Sequence, residues 1–222
     1  MIRMIVVDMA GTTVDEYNVV YKTLQSEINK AGFDFSLEQV LAAGAGKEKL
    51  QAIKDIMALH VALPDEATVN TVYKCFADEL AKAYDSIPLK PQPGAEEIFR
   101  ALREEHILVV LNTGYNAQTA RAILAKLSWQ TGKQIDGLIT ASDVQNGRPN
   151  PDMILLAMQK AGIKNADEVV KVGDSIIDVE EGKNAGCKLS IGITTGAHSY
   201  EQLATAKPDH IIHHLSELLA LI

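Results

Sequence analysis

Apolar residues recur along the chain in two rhythms, and the change between them divides it. Met4-Ile5-Val6-Val7 is a continuous apolar run that ends in Asp8, and the small, polar Ala10-Gly11-Thr12-Thr13 follows. A short apolar run bounded by turn residues is the pattern of a buried strand. From Tyr17 to Ala31 the period lengthens: Val20, Leu24, Ile28 and Ala31 share one helical face, and the pattern stops at Gly32. Ser36 with Gln39 has the form of a capping box and predicts a short helix through Leu41. The pattern breaks at Gly44-Ala45-Gly46-Lys47-Glu48-Lys49 and resumes at Leu50, Ile53 and Met57. Pro64-Asp65-Glu66 then opens a long helix with Val69, Val72, Phe76, Leu80 and Ala83 on its stripe. Residues 16–86 therefore read as helical, with no strand signal among them.

Ser86 to Gly94 holds three of the seven prolines and reads as a semi-rigid linker. Beyond it strands and helices alternate. Helices are predicted over 94–105, 117–127, 151–161 and 178–185, and strands over 107–111, 137–140, 169–172, 189–193 and 210–212, with a last helix to follow. This alternation implies right-handed crossovers and a parallel sheet. The first strand belongs to that sheet, so the helical stretch is an insertion after it. The expected fold is α/β: a Rossmann-like parallel-sheet core over 1–15 and 88–222, with an all-helical cap domain over 16–87 inserted after strand one. Linkers near 14–17 and 86–93 would tether the cap over the sheet's carboxyl edge.

The 222 residues are enough for a sizeable core. A net charge of −8 argues against nucleic acid as a partner. No run is long and apolar enough to span a membrane, and the first residues lack the form of a secretion signal, so a cytoplasmic protein is expected. Cys75 and Cys187 lack disulfide or zinc spacing and read as buried thiols. His60, His213 and His214 read as surface or packing residues, and Trp129 as a packing anchor. The sequence leaves a homodimer open.

The chemistry gathers at strand ends. Strand one ends in Asp8, the strand at 107–111 in Asn112-Thr113-Gly114-Tyr115, and that at 169–172 in Gly173-Asp174-Ser175 with Asp178 nearby. Between the last two, Asn146-Gly147-Arg148-Pro149 places one arginine before a helix. In a parallel sheet these clusters converge on one edge, where ligands bind. Converging carboxylates without basic partners repel one another, and a hard divalent cation such as Mg²⁺ resolves the repulsion. Asp8 and Asp174 would hold the ion. Thr113, Arg148 and the amides around Gly11 and Thr12 would bind phosphoryl oxygens, with Asp8 as nucleophile through an aspartyl-phosphate.

These residues resemble the haloacid dehalogenase-like hydrolases, whose four motifs occur here in order. Asp8-Met9-Ala10-Gly11-Thr12 resembles the first, Thr113-Gly114 the second, Arg148 the basic residue of the third, and Gly173-Asp174 with Asp178 the fourth. The resemblance implies metal contacts at Asp8, Ala10, Asp174 and Asp178, and a small phosphorylated or phosphonated substrate. Phosphate monoester hydrolases of the family carry a second aspartate where this chain has Ala10, because an alkoxide leaving group needs a general acid. Ala-Gly-Thr after the nucleophile, Thr113-Gly114-Tyr115 and Gly147-Arg148-Pro149 are similar instead to the phosphonatase subgroup, which cleaves a C–P bond. In that subgroup a cap lysine forms a Schiff base with an aldehyde. Lys49 matches its position, with Lys47 a second candidate to meet the substrate and Tyr115 a candidate pocket residue. The subgroup has a histidine three residues beyond its lysine, where this chain has Ala52. Two other readings stay open: a phosphate monoesterase of the phosphoglycolate or sugar-phosphate type, and a non-catalytic member that only binds a phosphorylated ligand.

Overall fold

The computed structural model describes residues 1–61 and 63–222. Its first strand, β1 (Met4–Asp8), has every residue buried, as its unbroken apolar run requires. A tight turn leads into the two-residue β2 (Val14–Asp15). Four helices follow: α1 (Val19–Lys30), α2 (Leu37–Gly44), α3 (Lys49–Met57) and α4 (Glu66–Ser86). The capping box expected at Ser36 is present, with Gln39 N–H donating to the serine hydroxyl and the Gln39 side chain accepting from Ser36 N–H. Helix α1 starts two residues later than its apolar pattern, because Tyr17 and Asn18 are left-handed at φ 56° and 55°.

The chain then passes through β3 (Lys90–Pro91) and alternates α5 (Ala95–Glu104), β4 (Leu108–Thr113), α6 (Ala117–Lys126), β5 (Gly137–Thr140), α7 (Asp152–Ala161), β6 (Val169–Gly173), α8 (Ile176–Asn184), β7 (Leu189–Ile193), α9 (Tyr200–Thr205) and β8 (His210–Ile212). The predicted final helix is a 3₁₀ segment, Leu215–Ala220. Six strands form one parallel sheet in the order β5-β4-β1-β6-β7-β8. The chain winds to one side of β1 and later to the other, so Asp8 lies at the topological switch, where such sheets bind ligands.

The two linkers differ from independent tethers. Val14 pairs with Pro91 and Asp15 with Lys90 in an antiparallel ribbon, and Gln92 N–H donates to Thr13 O at 2.9 Å. Both ends of the helical insertion therefore leave the core side by side. Pro91 suits this edge position because it has no N–H to leave unpaired.

The cysteine expectation is corrected. The α4 face carrying Val69, Val72, Phe76 and Leu80 points inward and leaves Cys75 exposed, while Cys187 is only partly buried. Trp129 is a packing anchor as expected: its ring meets Phe99 edge-on and its Nε1 donates to Glu96 Oε1 at 2.8 Å. Among the described residues no helix is long and apolar enough to cross a membrane.

Candidate active site

The turn after β1 is built around one carbonyl. Met9 O accepts from the N–H groups of Thr12, Thr13 and Val14 at 3.3, 2.9 and 2.8 Å. Thr13 Oγ1 donates to Asp8 O at 2.9 Å, which fixes the backbone from which the Asp8 carboxylate projects. Gly11 holds φ +83°, and a Cβ there would lie 2.3 Å from Asp174 Oδ2. Glycine at this position thus permits both the turn and the approach of the loop after β6. Asp174 accepts from Ala197 N–H at 2.6 Å and from Thr12 Oγ1 at 3.3 Å.

Beneath Asp8 lies a buried ionic layer that the sequence revealed only in part. Arg148 Nη1 donates to Asp8 Oδ1 at 2.6 Å and approaches Asp178 Oδ1 at 2.9 Å, while its Nε donates to Glu181 Oε2 at 2.9 Å. Its Nη2 donates to Asn112 O and Oδ1 at 3.0 and 2.7 Å. Lys171, in the middle of β6, reaches Asn112 Oδ1 at 2.7 Å, Asp178 Oδ1 at 2.8 Å and Glu181 Oε2 at 3.4 Å. Asp178 and Glu181 lie one turn apart on α8, so both face β6. The carboxylates therefore converge with basic partners, contrary to the expectation. Two faint signals existed: a lysine inside the apolar run Val169-Val170-Lys171-Val172, and a glutamate three residues after Asp178.

Charge in this layer is uneven. Asp8, Asp174, Asp178 and Glu181 face Arg148 and Lys171, all buried, leaving a formal charge of −2 if every carboxyl is ionised. Arg148 and Lys171 outweigh burial at Asp178 and hold its carboxyl below the ordinary range. Burial raises Asp8 despite Arg148, and burial with the charges of Asp8 and Asp178 drives Asp174 well up. Carboxyl oxygens of Asp8, Asp174 and Asp178 lie within 4.8 Å of one another. Oxygen donors with an excess charge of two fit a hard divalent cation. Ala10, two residues after Asp8, has a side chain that can neither ligate nor donate a proton.

The helical insertion closes over the same edge. A Cβ on Gly114 would come within 2.5 Å of Lys47 O and 2.8 Å of Gly46 O, so the loop before α3 lies directly on the loop after β4. Arg148 Nη1 also donates to Gly46 O at 3.5 Å. Lys49, in the first turn of α3, is 6% exposed. Its Nζ donates to Lys47 O at 2.6 Å and lies 5.5 and 5.4 Å from the ring centroids of Tyr21 and Tyr115. Burial, joined by the positive charge of Arg148 and opposed by Asp8, Glu48 and Glu16, lowers its amine to about 8. Lys47 is turned elsewhere: its ammonium pairs with Asp55 on α3, and only its backbone reaches this edge. Thr113 is buried at the end of β4, with its Oγ1 accepting from Tyr115 N–H at 3.2 Å. Of the residues singled out from sequence, the structure thus gathers Asp8, Gly11, Thr12, Thr113, Gly114, Tyr115, Arg148, Asp174, Asp178 and Lys49. Sequence reasoning missed Lys171, Glu181, Glu16, Tyr84 and Tyr21.

A parallel sheet with carboxylates at its switch point and a helical insertion after strand one defines a capped, Rossmann-like α/β protein with a candidate active site under the cap. The chain belongs to the haloacid dehalogenase-like hydrolases, whose family model matches residues 2–186. It is 32% identical over 209 residues to the phosphonoacetaldehyde hydrolase of Parabacteroides distasonis, covering 87% of this chain and 76% of that protein. Among solved structures, a hydrolase from Pseudomonas syringae superposes with a TM-score of 0.86 at 19% identity, covering 98% of this chain and 96% of the other. A phosphonoacetaldehyde hydrolase like protein from Oleispira antarctica superposes at 0.84 with 22% identity, covering 99% and 91%.

Proposed function

We propose that this protein is a Mg²⁺-dependent phosphohydrolase that acts through an aspartyl-phosphate on a small phosphonate or phosphorylated metabolite, and that its preferred substrate carries a carbonyl group beside the phosphorus-bearing carbon. The observation that carries this reading is Lys49: a buried amine lowered to about 8, held on the insertion opposite Asp8. The likeness to a protein named phosphonoacetaldehyde hydrolase supports it, as does Ala10, which withholds the general acid that an ester's leaving group needs.

Residues 16–87 act as the cap and residues 1–15 with 88–222 as the core. Asp8 and Asp174 would hold Mg²⁺, with Asp178 and Ala10 bordering it. When bound, the ion draws charge from the phosphoryl oxygens and offsets the surplus of carboxylates. Thr113 and the backbone around Gly11, Thr12 and Gly114 bind the remaining phosphoryl oxygens, and Arg148, whose N–H groups are taken by Asp8, Asp178, Glu181 and Asn112, stabilises their charge from beneath Asp8. The neutral Lys49 amine adds to the carbonyl, and the carbinolamine takes up one proton and loses water, giving an iminium. Asp8 attacks phosphorus, and the electron pair of the C–P bond moves into the iminium to leave an enamine. Water then releases phosphate from Asp8, while the enamine takes a proton and is hydrolysed from Lys49. Tyr115 and Tyr21 wall the amine, and the closed cap keeps bulk water from the reacting atoms.

Incubation with phosphonoacetaldehyde and borohydride tests the assignment. Covalent addition at Lys49, with phosphate release that is lost in Asp8→Asn, is the expected result. Brisk hydrolysis of phosphate esters without an adduct would replace it with the monoesterase reading. Phosphate binding without multiple turnover would leave only a ligand-binding protein.

A further inference from the structure

Two buried groups, Glu16 and Tyr84, take no part in that chemistry yet connect to the Tyr115 that walls the amine. Glu16, on the segment between β2 and α1, is 2% exposed. Its Oε2 accepts from Val20 N–H at 2.9 Å and from the Tyr84 hydroxyl at 3.1 Å. Tyr84, near the end of α4, meets the Tyr115 hydroxyl at 2.5 Å. A phenol has one proton to give. When Glu16 is ionised the Tyr84 proton goes to it, so Tyr115 donates to Tyr84 and the chain runs Tyr115 to Tyr84 to Glu16.

The chain crosses from the cap to the core, which move relative to one another if the cap opens. Glu16 lies on the first tether, Tyr84 in the final turn and a half of helix before the second, and Tyr115 in the core loop after β4. The far side of the Tyr115 residue is Lys49, whose Nζ sits 5.4 Å from its ring centroid. Donation of the Tyr115 proton towards a carboxylate polarises the phenol and makes its ring a better partner for a cation.

We propose that Glu16 is a positioning residue for Lys49, acting through the Tyr84–Tyr115 hydroxyl pair to hold the Tyr115 ring against the amine when the cap is closed. Its consequence for turnover rests on the reading of Lys49 as the reacting amine, whereas the arrangement itself does not. The ionisable groups facing Glu16 are Lys49 from α3, Tyr21 from α1, Tyr84 from α4 and Tyr115 from the core. Burial raises the Glu16 carboxyl to about 7, against its bonds to Val20 and Tyr84, so it gains its charge just below the range where Lys49 loses its own. A helix-terminal acid that acted on Lys49 through its charge alone would do so without the Tyr84–Tyr115 pair.

Reductive methylation of Lys49 with formaldehyde and cyanoborohydride, followed across pH by peptide mass spectrometry on the full chain, separates these roles. Glu16→Gln keeps an acceptor and removes the charge, and Tyr84→Phe keeps the carboxyl and breaks the bridge. The labelling midpoint should fall by about one pH unit in Glu16→Gln, the scale of losing a nearby opposite charge, and should fall also in Tyr84→Phe. An unmoved midpoint in Glu16→Gln overturns the proposal. A shift in Glu16→Gln with none in Tyr84→Phe overturns it too, in favour of a direct charge effect. Thermal unfolding checks both folds, and if Glu16→Gln does not fold, Tyr84→Phe decides alone. The assay reads the amine and not turnover, so failed trapping with an aldehyde substrate would refute the function without touching this result.

Discussion

Replacing Lys171 by Met tests the ionic layer most directly. Methionine nearly matches the lysine stem and removes the ammonium. The residue has no exposed surface, and the change deletes its contacts of 2.7 Å to Asn112, 2.8 Å to Asp178 and 3.4 Å to Glu181. Arg148 is then left to face four buried carboxylates, so the formal charge of the layer goes from −2 to −3. Orphaning one partner of a buried ion pair costs about 3–5 kcal/mol, against about 0–1 kcal/mol for an exposed pair. With a urea dependence of about 2 kcal/mol per molar, the unfolding midpoint of the metal-free protein at pH 7 should fall by about 2 M. Adding Glu181→Gln removes a carboxylate that Lys171 had balanced and should restore part of the loss. A drop below about 0.5 M, the size expected of a surface pair, would refute the reasoning. So would a double variant whose loss is the sum of the two single losses.

Three further outcomes follow from the same geometry. Lys49→Met should abolish phosphate release from phosphonoacetaldehyde yet raise stability at pH 7 by on the order of 3 kcal/mol, because the native amine, lowered to about 8, is costly while charged. The native state binds fewer protons than the unfolded one between about pH 8 and 10.5, so wild-type stability rises there and the gap between the two proteins closes; melts at pH 7 and pH 10 showing a widening gap would contradict this. Ala10→Asp places a proton donor two residues after Asp8 and should raise kcat for small phosphate esters at least tenfold; an unchanged ester rate would mean that the missing acid does not set the substrate class. Chelation of Mg²⁺ should stop phosphate release, its return should restore activity and raise the melting temperature, and Asp174→Asn should remove that thermal response; a metal-independent rate would refute the assignment of the carboxylate surplus.

Much of the fold was legible in sequence because its signals are local. The apolar run ending at Asp8, the helical period from Val20 onward and the capping box at Ser36 each depend on residues within a few positions. Strand ends also carry their own polar clusters, so Asp8, Thr113, Arg148 and Asp174 could be assigned to one edge once the sheet was parallel. The linkers were less legible. Lys90 and Pro91 look like spacer residues, and only the meeting of Val14 and Asp15 with them across the fold makes a ribbon.

The sequence by itself determined the parallel core, the helical insertion after strand one, and which polar residues lie at the sheet's carboxyl edge. Periodicity and turn chemistry act over one or two turns of chain, and they decide these things. The tertiary structure alone decided that Lys171 and Glu181 complete the charge balance beneath Asp8, that Lys47 turns away to Asp55 while Lys49 turns inward, and that Glu16, Tyr84 and Tyr115 form one chain behind the amine. Those outcomes depend on burial and on charges brought together from distant segments, since desolvation and Coulomb forces act through space and leave little trace in the order of residues.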